Sequence, residues 1–154
     1  MIVSAFMIVG HTNVAVPSVW KPQDLEQEVY RLVNQHRSKE GLTGLEWSEV
    51  IANECRLHSQ RMSSGKIKLS HEGFDDRMAR IRREIDFSKG AENEAFHERV
   101  KDPAREAVET WMKSSGHRAN MEGEYDMTGV GIATNKEGRY HFTQIVVKKR
   151  SKDR

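Results

Sequence analysis

Cysteine is nearly missing from this chain. Its 154 residues include one, Cys55, so no internal disulfide can staple the fold. Charge imbalance is missing too: 25 Lys and Arg stand against 23 Asp and Glu, a formal net charge of +2. That is too small an excess to argue for nucleic acid as a partner. No apolar run reaches the roughly 20 residues of a membrane-spanning helix. Internal repeats and low-complexity tracts are absent as well, which excludes a repeat architecture.

What is present reads as one soluble domain. Charged residues make up 31% and apolar residues 36% of a length that suits a single sizeable core. The start, "MIVSAFMIVG", has the length of a signal-peptide core, but no Lys or Arg precedes it. Residues 1–19 are therefore a leader, read as an export-signal remnant or an extra strand. The domain is expected over residues 20–148, followed by a basic solubilising tail, residues 149–154.

Helical spacing is clear in several places. Trp20, Lys21 and Pro22 look like a helix entry, followed by Leu25, Val29, Leu32 and Val33. Ser48 is a plausible N-cap for a second helix with Ile51, Ala52, Cys55 and Met62 inward, stopped by Gly65. Cys55 on that stripe reads as a core residue and not as a thiol nucleophile. A third helix is expected from Phe74 to Ile85. Asp102 and Pro103 open a fourth, running to Ser114. Two strands, Thr128 to Thr134 and Tyr140 to Lys148, flank the turn "NKEG". "GAENEAF" reads as another strand with Glu92 and Glu94 on one face. Trp47, Leu57, Trp111 and Ile132 are expected in or beside the core.

One position resists a packing explanation. In "RYHFTQIVVK", alternation puts His141 and Thr143 on the same face as Ile145 and Val147. Burying an imidazole beside two aliphatic side chains has no packing rationale, so His141 is a candidate for a polar cleft. His71, Glu92 and His117 are similarly placed, at element edges or beside Gly and Ser. Spacing alone cannot bring these residues together, because they lie on separate elements.

The segments "LVNQHRSKEGLTGLEWSEVIANECRLHSQRM", "SHEGFDDRM", "GAENEAF", "AVETWMKSSGHRANMEGEYDMTGVGIA" and "YHFTQIVV" occur in the order and spacing of a known family. With them the sequence resembles the CAP superfamily of cysteine-rich secretory, antigen 5 and pathogenesis-related proteins, in its bacterial SCP-like branch. The resemblance covers nearly the whole chain, from about Leu25 to Val147. It implies an α+β fold, an α-β-α sandwich with a small, mostly antiparallel sheet between helices. It also implies a cleft lined by two histidines and two acids, which in some members binds a divalent metal. By motif, His71 and His141 match the histidines and Glu92 the first acid. The second acid's position is occupied by Ser114. Glu109 is no substitute, since five residues turn a helix by about 140°. His117 stays on Ser114's face if the helix continues.

The expected metal set is therefore His71, Glu92, His117 and His141, with Ser114 and Asn93 beside it. Imidazoles and a carboxylate suit Zn²⁺ or another divalent cation. No activated nucleophile is visible, because Ser70 and Ser115 merely neighbour histidines in sequence. "HEGF" also lacks the second histidine of a metalloprotease helix. A non-catalytic metal or small-ligand cleft is the primary expectation. A metal-dependent hydrolase, and a lipid- or sterol-binding module with a structural His/Glu cluster, are the alternatives. Val147 and Tyr140 depart from the eukaryotic pattern of tryptophan and glycine, so eukaryotic roles do not carry over. Family habit places such domains outside the cell or in the periplasm, with a small ligand or lipid as partner and no nucleic acid.

Overall fold

A computed structural model describes residues 20–151. The leader and the last residues of the basic tail lie outside the described residues. In chain order the elements are α1 (Pro22–Lys39), β1 (Glu46–Trp47), α2 (Glu49–Ser63), α3 (Phe74–Arg82), β2 (Phe87–Glu98), α4 (Pro103–Lys113), α5 (Ser115–Glu122), β3 (Met127–Thr134) and β4 (Arg139–Lys149).

The strands form one sheet in the order β1-β3-β4-β2. β1 runs parallel to β3, and the other pairs are antiparallel. Each face of the sheet carries its own core. On one side Leu25, Val29 and Val33 of α1 and Trp111 of α4 meet Val130, Ile132 and Phe142. On the other, Ile51 and Cys55 of α2 and Ile81 of α3 meet Phe87, Ile145 and Val147. This is an α-β-α sandwich, and each helix reached it by its apolar stripe.

Sequence punctuation explains most boundaries. Pro22 opens α1, where a missing N–H costs nothing. The Ser48 side chain accepts from Ile51 N at 3.4 Å, and Asp102 Oδ1 accepts from Arg105 N at 3.1 Å. Gly129 and Gly131 of β3 face α2. A Cβ on Gly131 would lie 2.0 Å from Arg56 N, and on Gly129 2.2 Å from Ala52 N. Only glycine lets the helix backbone approach this closely.

Several details differ from the sequence reading. Leu57, expected in the core, is 53% exposed, because it points off the outer side of α2 while Cys55, His58, Ser59 and Met62 point inward. The fourth helix does not run on through Ser114. That residue adopts ψ 121°, closes α4 and starts α5. The face argument linking Ser114 to His117 therefore loses its premise. β1 is only two residues long and has no periodic signal.

Candidate functional site

β2 carries two carboxylates on its α2-facing side. Glu92 pairs across the ladder with Ile145, Glu94 with Thr143 and Phe96 with His141. Alternation puts all of these on one face. Both carboxylate side chains are buried, at 1% and 4% exposure. Two buried negative charges at this spacing require compensation. The opposite edge of the strand is pinned from behind, where Asn120 Nδ2 donates to Glu92 O at 3.1 Å and Trp111 Nε1 to Glu94 O at 3.0 Å.

Arg77 of α3 supplies one permanent positive charge. Its Nε donates to Glu92 Oε2 at 2.9 Å and its Nη2 to Glu92 Oε1 at 2.7 Å, a bidentate fork. The same guanidinium donates from Nη1 to Glu72 O at 2.7 Å and faces His58 Nδ1 at 2.9 Å. A guanidinium has no acceptor, so His58 Nδ1 must be bare and Nε2 must carry the proton. His58 Nε2 then donates to Glu94 Oε1 at 2.6 Å and to Ser70 O at 3.0 Å. In that tautomer His58 is neutral and brings no charge to Glu94.

His71 completes the cluster from the loop before α3. Its Nδ1 lies 3.0 Å from Glu92 Oε1 and 3.7 Å from Glu94 Oε1, and its side chain is 56% exposed. Burial alone would raise the Glu94 carboxyl. The His58 hydrogen bond and the nearby His71 imidazole outweigh burial and hold its pKa below the ordinary carboxylate value. Two anions thus face one permanent cation. His71 and Glu92 also line a cavity of about 300 Å³ with Phe74, Gly90 and Ala91.

Donor spacing tests whether a divalent ion suits these residues. Tetrahedral zinc with ligands at about 2.0–2.1 Å sets its donors about 3.3 Å apart. The gaps of 3.0 and 3.7 Å from His71 Nδ1 to the two carboxylates bracket that value. His58, Glu92 and Glu94 also present ligand atoms within 4.8 Å of one another. Both ring nitrogens of His58 are engaged by Arg77 and Glu94, and both oxygens of Glu92 by Arg77, whereas His71 is the half-exposed donor nearest the carboxylates. Arg77, held on both oxygens of Glu92, sits where its charge opposes a cation.

The other expected site residues have different surroundings. His117 is half-buried, and its Nδ1 has no hydrogen-bond partner. Burial first, and the neighbouring His71 second, lower its pKa despite the pull of Glu94, so it lies within electrostatic reach of the cluster. His141 faces the same side of the sheet but occupies another cavity, sharing no lining residue with that of His71 and Glu92. The register gives the reason. Glu92 sits opposite Ile145, and His141 is four residues further along β4, about 13 Å at strand spacing. Asn93 points to the opposite face, donating to His117 O at 3.1 Å and to Gln144 Oε1 at 3.3 Å. Ser114 is the hinge between α4 and α5, away from the carboxylates' face.

Sequence reasoning missed His58, Arg77 and Glu94 as site residues. The signals were faint but real. His58 and Arg77 fall on the inward stripes of their helices, beside Cys55 and Ser59 and beside Met78 and Ile81. Glu94 follows Glu92 by the two residues that return a strand to the same face.

Comparison with known proteins points one way. The sequence profile of the cysteine-rich secretory protein family, CAP, matches residues 30–146. The uncharacterized membrane protein YlbC of Bacillus subtilis is 32% identical over 129 residues, 80% of this chain and 34% of its own length. The uncharacterized protein YkwD of the same organism is 27% identical over 142 residues, 89% of this chain and 52% of its own. The chain thus spans between a third and about half of the length of these curated relatives. An extracellular SCP-domain protein of Bacillus anthracis superposes with a TM-score of 0.68 at 25% identity, over 83% of this chain and 41% of that one. An outer surface protein of Borrelia burgdorferi reaches 0.71 at 16% identity, over 85% and 97%, a likeness of fold alone.

Proposed function

This chain belongs to the cysteine-rich secretory protein (CAP) family, and from that premise we propose that it is an extracytoplasmic CAP domain whose cleft binds a divalent cation without catalysis. His71, Glu92 and Glu94 would hold the ion. Bound there, the ion would supply the positive charge that two buried carboxylates and one guanidinium leave unmatched. The supporting observation is that His71 Nδ1 lies 3.0 Å from Glu92 Oε1 and 3.7 Å from Glu94 Oε1, beside a cavity that His71 and Glu92 line. The extracytoplasmic placement rests on the extracellular and outer-surface proteins that share the fold. No helix among the described residues is long and apolar enough to cross a membrane.

Neither serine hydroxyl beside the cluster is free to act as a nucleophile, which supports the non-catalytic reading against covalent catalysis. Ser70 Oγ is engaged with Lys68 O and Glu72 N, and Ser59 Oγ with Gly131 O and Thr143 Oγ1. Neither has the histidine contact that would activate it as a nucleophile. A second reading has a specific observation behind it: Arg77 already engages both oxygens of Glu92, so the cluster could serve to lock α2, α3 and β2 together.

Titration calorimetry with zinc at neutral pH separates the two. The cation reading expects saturable binding, a raised melting temperature, and loss of both in a His71→Ala, Glu94→Gln double variant. Binding should weaken on acidification, since ligands must be unprotonated. No heat and no thermal shift with zinc, copper or calcium would leave the cluster as a structural lock.

A further inference from the structure

From the second cavity on the same side of the sheet we infer a binding site for a small aromatic anion, a phenyl-type body carrying a carboxylate or phosphate head. The cavity, about 340 Å³, lies between the loop after α2 and the β3–β4 hairpin. That volume is within the usual range for small-molecule sites. Its wall is part apolar and part basic: Ile67, Leu69 and Phe96 against Lys68 and Arg139, with the imidazole of His141 between them. None of the residues lining it is acidic, in a chain whose charges are otherwise nearly balanced.

Three features go beyond composition. Phe96 and Leu69 are 45% and 43% exposed, two of the three large apolar side chains left in solvent among the described residues, and both border this cavity. An aromatic ring laid on Phe96 would extend a stack that already exists, because Phe96 lies over His141 with centroids 6.2 Å apart and planes at 27°. His141 is 7% exposed, and its Nδ1 is buried without a hydrogen-bond partner.

Positive charge is available for the head group. Lys68 forms no ion pair among the described residues. Arg139 spends Nε and Nη2 on Glu98 Oε2 and holds its guanidinium 5.4 Å over the Phe96 ring. An anion between Lys68 and Arg139, with its ring on Phe96, would use every feature of the wall. A cation would meet the unpaired ammonium of Lys68 and no carboxylate on the cavity wall, since Glu98 lies behind Arg139 and is already paired with it.

The test is a two-dimensional NMR titration of the described domain within the full chain, in metal-free buffer, with phenylacetate, phenyl phosphate and benzylamine as probes. The expected result is saturable shifts at the amides of Ile67, Leu69 and Phe96 with one or both anions, and none there with benzylamine. The tighter of the two anions identifies the head group. Lys68→Glu should weaken binding about tenfold, because it removes an attraction and adds a repulsion. Phe96→Ala should weaken it about fivefold through the lost stacking. Both positions are exposed, so neither variant threatens the fold. Equal binding of benzylamine, shifts centred elsewhere, indifference to both variants, or no saturation by about 20 mM probe would overturn the proposal. Since no metal is present and the two cavities share no lining residue, failure here leaves the cation reading untouched.

Discussion

Arg77→Met should be among the most damaging single changes in this chain. The guanidinium is 97% buried by its 3% side-chain exposure, and Glu92 beneath it is 1% exposed. Methionine keeps the length and the helix propensity of α3 but removes the fork to Glu92, the donor to His58 Nδ1 and the donor to Glu72 O. What dominates is the charge left behind. Two unit charges about 4 Å apart at an effective dielectric of about 20 interact by about 4 kcal/mol. Removing one partner of a buried pair costs about 3–5 kcal/mol for the same reason. Against a total stability of about 5–15 kcal/mol, that is a large share.

Urea unfolding followed by fluorescence measures this directly, provided the slope stays unchanged. A double variant, Arg77→Met with Glu92→Gln, separates charge from packing. Its loss should be smaller than that of Arg77→Met alone by about half, because no uncompensated carboxylate remains. If the single change costs below about 1 kcal/mol, or the double change is simply the sum of the singles, the assigned electrostatics are wrong. The same variant bears on the cleft: without Arg77, zinc should raise the unfolding midpoint more than it does in the native chain, since Glu92 and Glu94 then lack their resident cation.

Trp111→Ala should cost about 3–5 kcal/mol in the same assay, because the ring is fully buried between α4 and the sheet; Trp111→Phe should still lose about 1–3 kcal/mol by orphaning the Glu94 carbonyl. Gly131→Ala should destabilise by about 3 kcal/mol or fail to fold, since the new Cβ meets helix backbone 2.0 Å away; a loss under about 1 kcal/mol would mean α2 can shift freely. Acid should destabilise the fold in two stages. His97, His117 and His141 all have folded pKa values lowered from 6.5, chiefly by burial, so their contribution is present above 6.5 and is lost as pH falls through the folded values. Glu94, lowered from 4.5, adds a second loss below that value; a flat stability profile between pH 7 and about 5 would contradict the histidine shifts, and a flat profile from about pH 5 down to about 3 would contradict that of Glu94.

What the sequence made legible follows the reach of each physical signal. Period 3.6 exposed the stripes of α1, α2 and α4, and period 2 put Glu92 with Glu94 and His141 with Ile145 on their proper faces. Such patterns report a face and nothing about height along the strand. His141 was grouped with Glu92 by motif, yet whether they meet depends on the β2–β4 register. Those strands are joined through α4, α5 and β3, so no hairpin turn sets their alignment. The β3–β4 register, by contrast, is set locally by the turn at Asn135–Gly138, where Gly138 takes φ 75° and donates to Asn135 O.

For β2 and β4 the alignment comes from tertiary packing. Gly90 passes beneath Met78, where a Cβ would lie 2.2 Å from the methyl group, and Glu94 must arrive level with His58. A slip of two residues would keep every side chain on its face. It would also carry Glu94 away from His58 and Glu92 away from the Arg77 fork, stranding two buried charges. The polar cluster therefore selects among registers that the apolar pattern leaves equivalent, and the register it selects is the one that separates His141 from the carboxylates. Replacing Glu92 and Glu94 with leucine together with Arg77→Met, so that no unpaired buried charge remains, should leave a folded sandwich while loosening that selection. The measurable sign would be faster amide exchange along β2, from Glu92 to Glu98, with β3–β4 protection unchanged. Unaltered exchange in β2 would show that α4, α5 and Gly90 align the strand without help from the cluster.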